Sequence, residues 1–441
     1  MRFTAYLAAS TALVLATSAY AQTTSTIPPR VNNSVASQSA LPDRTTSQVV
    51  ADDDAARLAL QPVGARFGSF TLFPKLETQL TYNDNIYALQ NKTDDFIARI
   101  SPSAELRGDF GTFTTALRGV LDRYQYFDRT TENRTDWSIG GNAQAEASRG
   151  IFIYGAGGYS KAHEDRGDPN ALYTDRTPTK YNLTEGGFGL SSDLQRVSYG
   201  IDASYREYDF ANNQQIGGAL VNNKDRDRKQ YRVAGRLGFE LSPGYRILAR
   251  GSYQKIDYDL NFDDAGFNRD SKEVRGTLGV QFELTRLLQG EVFGGYLNRT
   301  YTDPRFADIS APVFGANLTW FPTPLATVRF NIDRTVQETV VANARGFLST
   351  AGTITLDYEV LRTLILTGVV RYSHDDYRGS RLVTTTRNDD YYGGTIGARY
   401  LFNRNFYGGL SYDWTKRTSS FSGPGLEFNR NRITATLGLQ L

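Results

Sequence analysis

Two histidines are the first places where this 441-residue chain could do chemistry. His163 precedes Glu164 and Asp165, and His374 precedes Asp375 and Asp376. An imidazole beside carboxylates can ligate a metal or serve a nucleophile as base. Three acidic pairs, Asp263–Asp264, Asp375–Asp376 and Asp389–Asp390, could take calcium or bridge lipopolysaccharide. None of these residues has the required surroundings. No nucleophile motif accompanies either histidine, and no EF-hand or nonapeptide spacing surrounds the acids. The chain has no cysteine, which excludes thiolate sites and disulfides. Gly155–Gly158 and Gly393–Gly394 lie in strand-like stretches, where glycine suits close packing rather than a phosphate cradle. The sequence therefore points away from an enzyme and toward no metal and no cofactor.

The segments that carry these residues alternate apolar and polar side chains from about Phe70 to the end. Ile433, Ala435, Leu437, Leu439 and Leu441 alternate with Arg432, Thr434, Thr436, Gly438 and Gln440. Tyr231, Val233, Leu237 and Phe239 alternate with Arg232, Arg236 and Glu240. The same period runs through Val274–Leu284, Val328–Asp333 and Ile354–Glu359. Successive strand side chains point to opposite faces, so each stretch has one greasy and one polar side.

The connections separate a membrane barrel from a soluble sandwich. Tight turns fall near Asp109, Arg149, Leu194, Ser242, Leu287, Pro322, Leu361 and Asn403, at a mean spacing of about 42 residues. Between them lie long polar stretches: His163–Pro178, Asp209–Lys229, Asp259–Asp270, Asp375–Asp390 and Lys416–Glu427. Short turns at one end and long loops at the other is the asymmetry of an outer-membrane barrel. The expected fold is all-β, a transmembrane antiparallel up-and-down β-barrel of about 18 strands. Its N-terminal periplasmic segment is expected to be disordered.

The start of the chain reads as an address. Arg2, an apolar stretch from Ala5 to Ala16 and the Ala19-Tyr20-Ala21 site match a secretory leader cleaved between Ala21 and Gln22. This divides the chain into a signal peptide at 1–21, a polar segment at 22–68 and the barrel at 69–441. Net charge is +2 from 49 basic and 47 acidic residues, a balance that argues against a nucleic-acid partner.

The polar face supplies the expected lumen lining: Arg118, Asp202, Arg206, Arg232, Arg236, Glu240, Arg275, Glu283, Arg329, Asp357, Glu359, Arg371 and Arg399. The signs nearly cancel, which suits a weakly selective channel or a neutral cargo. Aromatics near strand ends are expected to sit at the headgroup level: Tyr124, Tyr126, Phe127, Tyr205, Tyr208, Tyr391, Tyr392, Tyr400, Phe402, Tyr412 and Trp414. Leu437, Leu439 and Leu441 resemble the C-terminal signal read by the outer-membrane assembly machinery.

Phe70–Tyr87 reads FTLFPKLETQLTYNDNIY, followed by DDFIARISPSAEL at Asp94–Leu106. The proline-bearing strand, the Tyr-Asn-Asp-Asn-Ile-Tyr close and the Ile-Ser-Pro entry resemble the β-barrel porin family often found with exopolysaccharide-export gene clusters. That resemblance implies a channel in the outer membrane of a Gram-negative bacterium, among its lipids and lipopolysaccharide. Its cargo would be an exported exopolysaccharide or passively diffusing polar solutes, and its partners periplasmic polysaccharide-export components. The alternative is a closed barrel that displays its loops for adhesion or envelope organisation.

Overall fold

The computed structural model describes residues 60–441, apart from 195, 286, 383–386, 422 and 424. The leader, with Ala21 and Gln22, and most of the 22–68 segment lie outside the described residues. The barrel strands are β1 (Phe70–Asn83), β2 (Asp95–Asp109), β3 (Phe113–Tyr126), β4 (Arg134–Ser148), β5 (Ile151–His163) and β6 (Lys180–Leu194). There follow β7 (Val197–Phe210), β8 (Arg228–Ser242), β9 (Tyr245–Tyr258), β10 (Ser271–Thr285), β11 (Leu288–Tyr301) and β12 (Ile309–Thr323). The circuit ends with β13 (Ala326–Gln337), β14 (Ala344–Leu361), β15 (Leu364–Gly379), β16 (Asn388–Leu401), β17 (Phe406–Ser419) and β18 (Phe428–Gln440).

Each strand pairs antiparallel with the next, and β18 closes on β1 from Lys75↔Gln440 to Asn83↔Arg432. A closed, 18-stranded antiparallel barrel results. Closure pairs the backbone without leaving an edge, which is what a bilayer requires of a spanning sheet. A stub, Ala65–Phe67, folds back on Phe70–Leu72 at the rim where the chain enters.

Alternation sets the two faces. Leu278 is 67% exposed and Ile396 equally so, whereas the neighbouring Thr277 and Thr395 are buried. A soluble core would show the reverse. The outer face is apolar because lipid is its solvent.

The entry rim carries the short turns. Gly150 and Gly244 take positive φ there (75° and 84°), a conformation that glycine adopts without Cβ strain. The opposite, extracellular rim carries the longer loops. Two of the expected loops begin later than the sequence suggested. β15 runs on to Gly379 and β17 to Ser419, because the polar residues 373–379 stay paired with their neighbours above the membrane. Spanning takes only about 10 residues per strand, so strands of 14 and 16 residues project beyond it.

The aromatic expectation needs correction residue by residue. Phe127, Tyr392, Tyr400, Phe402 and Tyr412 are exposed on the outer face. Tyr126, Tyr208 and Tyr391 are buried on the inner face (6%, 2% and 0% exposed), and Tyr124 sits beside Arg99 and Arg134 on that face. Consecutive strand positions point opposite ways, so an aromatic cluster in sequence divides between lipid and lumen.

Candidate pore and its mouth

The alternation that places Leu278 outside turns its neighbours inward. By the same parity, all thirteen charged residues expected in the lumen occupy the inner face. Several meet a partner across the wall. Arg206 Nε reaches Glu185 at 3.2 Å, Arg275 reaches Asp333 at 3.6 Å, Arg329 reaches Asp357 at 2.5 Å and Arg371 reaches Asp413 at 3.6 Å. Glu240 pairs with Arg246 at 3.6 Å. Arg118 lies opposite Glu105 in the β2–β3 register, and Arg399 lies over the Tyr407 ring at 5.0 Å. Asp202, Arg232 and Arg236 share a small recess with Arg250 and Arg275. Glu283 and Glu359 sit near the periplasmic turns, one residue before bulges.

Neither histidine sits in catalytic company. His163 Nδ1 faces Asp136 at 2.6 Å, and His374 Nδ1 faces Asp390 at 2.9 Å. Of the acidic pairs, Asp389 is fully buried between Arg387 (2.6 Å) and Arg417 (2.5 Å). Asp263 holds Arg269 at 2.6 Å, and Asp376 holds Arg378 at 2.5 Å. Among the described residues, no cluster of three or more metal-ligating side chains is present.

The extracellular loops turn inward and meet over the lumen. Residues 164–179, between β5 and β6, send consecutive side chains to different walls. Glu164 grips Arg226 in the β7–β8 loop through both its oxygens. Asp165 accepts from Arg430 on β18 at 3.1 Å. Arg166 pairs bidentately with Glu132 before β4, at 2.5 and 3.0 Å.

From the far side comes the end of the β13–β14 hairpin. Asn170 clasps it with two bonds: its Nδ2 donates to the Glu338 carbonyl (3.3 Å), and its Oδ1 accepts from Val340 N–H (3.1 Å). Arg269 Nη1 donates to the carbonyls of Thr339 and Ala344, each at 2.9 Å. The Glu338 side chain accepts from Tyr258 at 2.8 Å and from the buried Arg299. β5 and β13 stand on nearly opposite sides of the barrel, so these contacts bridge its mouth.

Residues 59–441 match the profile of the family described as "Putative beta-barrel porin 2". The chain belongs to that family. It is a porin-like channel of the Gram-negative outer membrane and not an enzyme. Its fold is similar to those of solved outer-membrane barrels. The siderophore receptor PirA from Acinetobacter baumannii shares 8% identity at a TM-score of 0.46, with 84% of this chain and 80% of that one covered. The outer membrane protein OpdK from Pseudomonas aeruginosa shares 11% at 0.45, covering 84% and 99%. A BenF-like porin from Pseudomonas fluorescens Pf-5 shares 12% at 0.43, covering 86% and 100%. A search of curated protein sequences finds no match.

Where the inward segments of this porin meet, they enclose a cavity of about 320 Å³. Tyr181, Phe210, Tyr258 and Phe347 line it beside Glu164, Asp165, Asp168, Asp225, Asp263, Asp264 and Glu338, against Arg226, Arg228 and Arg269. Four of these acids are ion-paired, as given above. Asp168, Asp225 and Asp264 have no ion pair among the described residues. Burial, and then the charge of Glu164, push Asp168 up to about 7. Burial likewise raises Asp225 above its ordinary value, although the Asp264 N–H donates to its carboxylate and opposes the rise.

The residues that build this mouth, Asn170, Arg226, Arg269, Arg299, Glu338 and Arg430, were not singled out from sequence. One signal was present. Val340-Val341-Ala342 is an apolar triplet at a hairpin tip, and a tip that packs against protein is more apolar than one that lies in water.

Proposed function

We propose that this porin passes small polar solutes by passive diffusion and favours cations at its outer entrance. The observation that carries this reading is the mouth cavity, where carboxylates outnumber guanidinium groups and three of them lack an ion pair. Carboxylates around an entrance raise the local concentration of cations and repel anions. The charges farther down the wall are largely paired, so the entrance sets the sign of the field. A threaded sugar polymer would need the crossing segments drawn aside, which makes small solutes the better fit to this geometry.

The test is a planar bilayer with full-length refolded protein under a potassium chloride gradient. Discrete conductance steps with a reversal potential toward potassium support the reading. Removing carboxylates with Asp225→Asn and Asp264→Asn moves the reversal potential toward zero. A folded protein without conductance, or one that prefers chloride, overturns it.

A further inference from the structure

The wall parts early between β12 and β13. β12 and β13 pair from Thr323↔Ala326 up to Gly315↔Asp333 and no further. β13 and β14 stay paired beyond that point, to Gln337↔Phe347. Had the wall continued in register, Val313 would oppose Thr335 and Ala311 would oppose Gln337.

The hairpin end instead leaves the cylinder. Val336 shares its parity with Val328 and Ile332, and Leu348 with the exposed Leu356, all on the outer face. Yet Val336 and Leu348 are fully buried against Leu297, Ala311 and Val313 on the inner surface of β11 and β12. The outer face of the hairpin has swung inward onto the lumen wall.

Two features make this a movable arrangement. A bulge between Ala344 and Gly346 interrupts the β14–β15 register, and Asn343 beside it takes a left-handed φ of 61°. Bulges bend a strand locally. Leu348 is paired with Asp376 above the membrane, so Val336 and Leu348 would meet water in the outward position, and their burial favours the inward one. Pro312 brings no N–H to the abandoned β12 edge, so the ladder given up there is weakened. A polar clasp adds to that burial: Asn170, Arg269, and Tyr301 Oη, which donates to the Arg345 carbonyl at 2.9 Å.

We propose that residues 334–347 form a movable strap that narrows the mouth when clasped inward and opens it when re-paired with β12. The proposal rests on the channel reading above.

Single-channel recording of three full-length proteins tests it: the wild type, Asn170→Ala, and Ala311→Cys with Gln337→Cys. The native chain has no cysteine, so any crosslink is the engineered one. Opposed positions in an antiparallel pair bring Cα atoms to about 5 Å, within disulfide reach. Asn170→Ala removes two clasp bonds and shifts occupancy toward the open level by about tenfold. Oxidation of the cysteine pair gives a crosslinked protein held at the high-conductance level, and reduction releases it. Failure to crosslink, or conductance that ignores both changes, overturns the strap and leaves the channel standing. Silence in all three proteins overturns both.

Discussion

Arg430 on β18 donates to the carboxylate of Asp165 at 3.1 Å, tying together residues 265 positions apart. Arg430 is almost wholly buried. Burial alone would raise Asp165, but Arg430 and then Arg432 hold its carboxyl below the usual carboxylate range. A lowered folded-state value means that the attachment is complete above about pH 4 and is lost as the pH falls below it. Asp165→Asn should loosen residues 164–179 by about 2 kcal/mol, roughly a thirtyfold rise in the open loop population. Limited proteolysis of the native barrel at neutral pH reads this directly. A cleavage rate equal to that of the wild type would dismiss the anchor.

Asp168 titrates in the opposite direction. Burial and Glu164 raise it to about 7, against the help of the Asn170 N–H and of Arg226; Asp165 adds to the rise. The phenol of Tyr181 is the other titratable group facing it. A carboxyl raised in the folded state binds its proton more tightly there than when unfolded. Its ionisation therefore works against the folded loop as the pH climbs from about 4 to about 7. In the folded protein the charge itself appears around that value, between about pH 6 and pH 8. The potassium-over-chloride permeability ratio should rise between those limits and level off above them. Asp168→Asn should flatten the rise, and an unchanged pH profile in that variant would show that another group is responsible.

Arg299 is 1% exposed and holds Glu273 at 2.8 Å and the Glu338 side chain together. Arg299→Met leaves two inward carboxylates without their common partner. Removing one member of such a buried set costs about 3–5 kcal/mol. The urea midpoint of the refolded barrel should fall accordingly. Adding Glu273→Gln and Glu338→Gln to the same protein should restore most of the loss, because the repulsion has gone with the charge.

The two faces of the wall should answer differently to a new charge. Leu278→Arg puts a guanidinium into lipid and should cost about 2–4 kcal/mol. Asn142→Lys adds a charge on the inner face, in a sector paired with Ala116 and Ala156, and should stay within about 0.5 kcal/mol. Urea titration of both proteins in lipid vesicles gives the comparison. Equal costs would contradict the assignment of faces.

The wall was legible because its signal is local. A period of two along Arg432–Leu441 or Tyr231–Leu241 states which side chains meet lipid, and Ser242-Pro243-Gly244 can only be a turn. Parity also assigns the lumen, provided that it is followed one residue at a time. Tyr126 and Phe127 were grouped by proximity, although they point in opposite directions. The mouth was less legible. Asn170 and Val340 lie on loops whose composition suits water, and their meeting depends on where the wall bends. The bend lies at Asp333, where pairing with β12 stops, and the alternation of Val328, Phe330 and Ile332 runs through it without a break. An ion pair such as Asp165–Arg430 leaves no periodic trace at all.

The seam between β1 and β18 has a consequence for assembly. Lys75 must find Gln440, so the first strand made waits for the last one before it has a neighbour on that side. Until then the sheet has two raw edges, and a chain truncated before Phe428 has no means of sealing itself. Sealing of the cylinder is thus deferred until β18 exists, and every other strand precedes it in the chain.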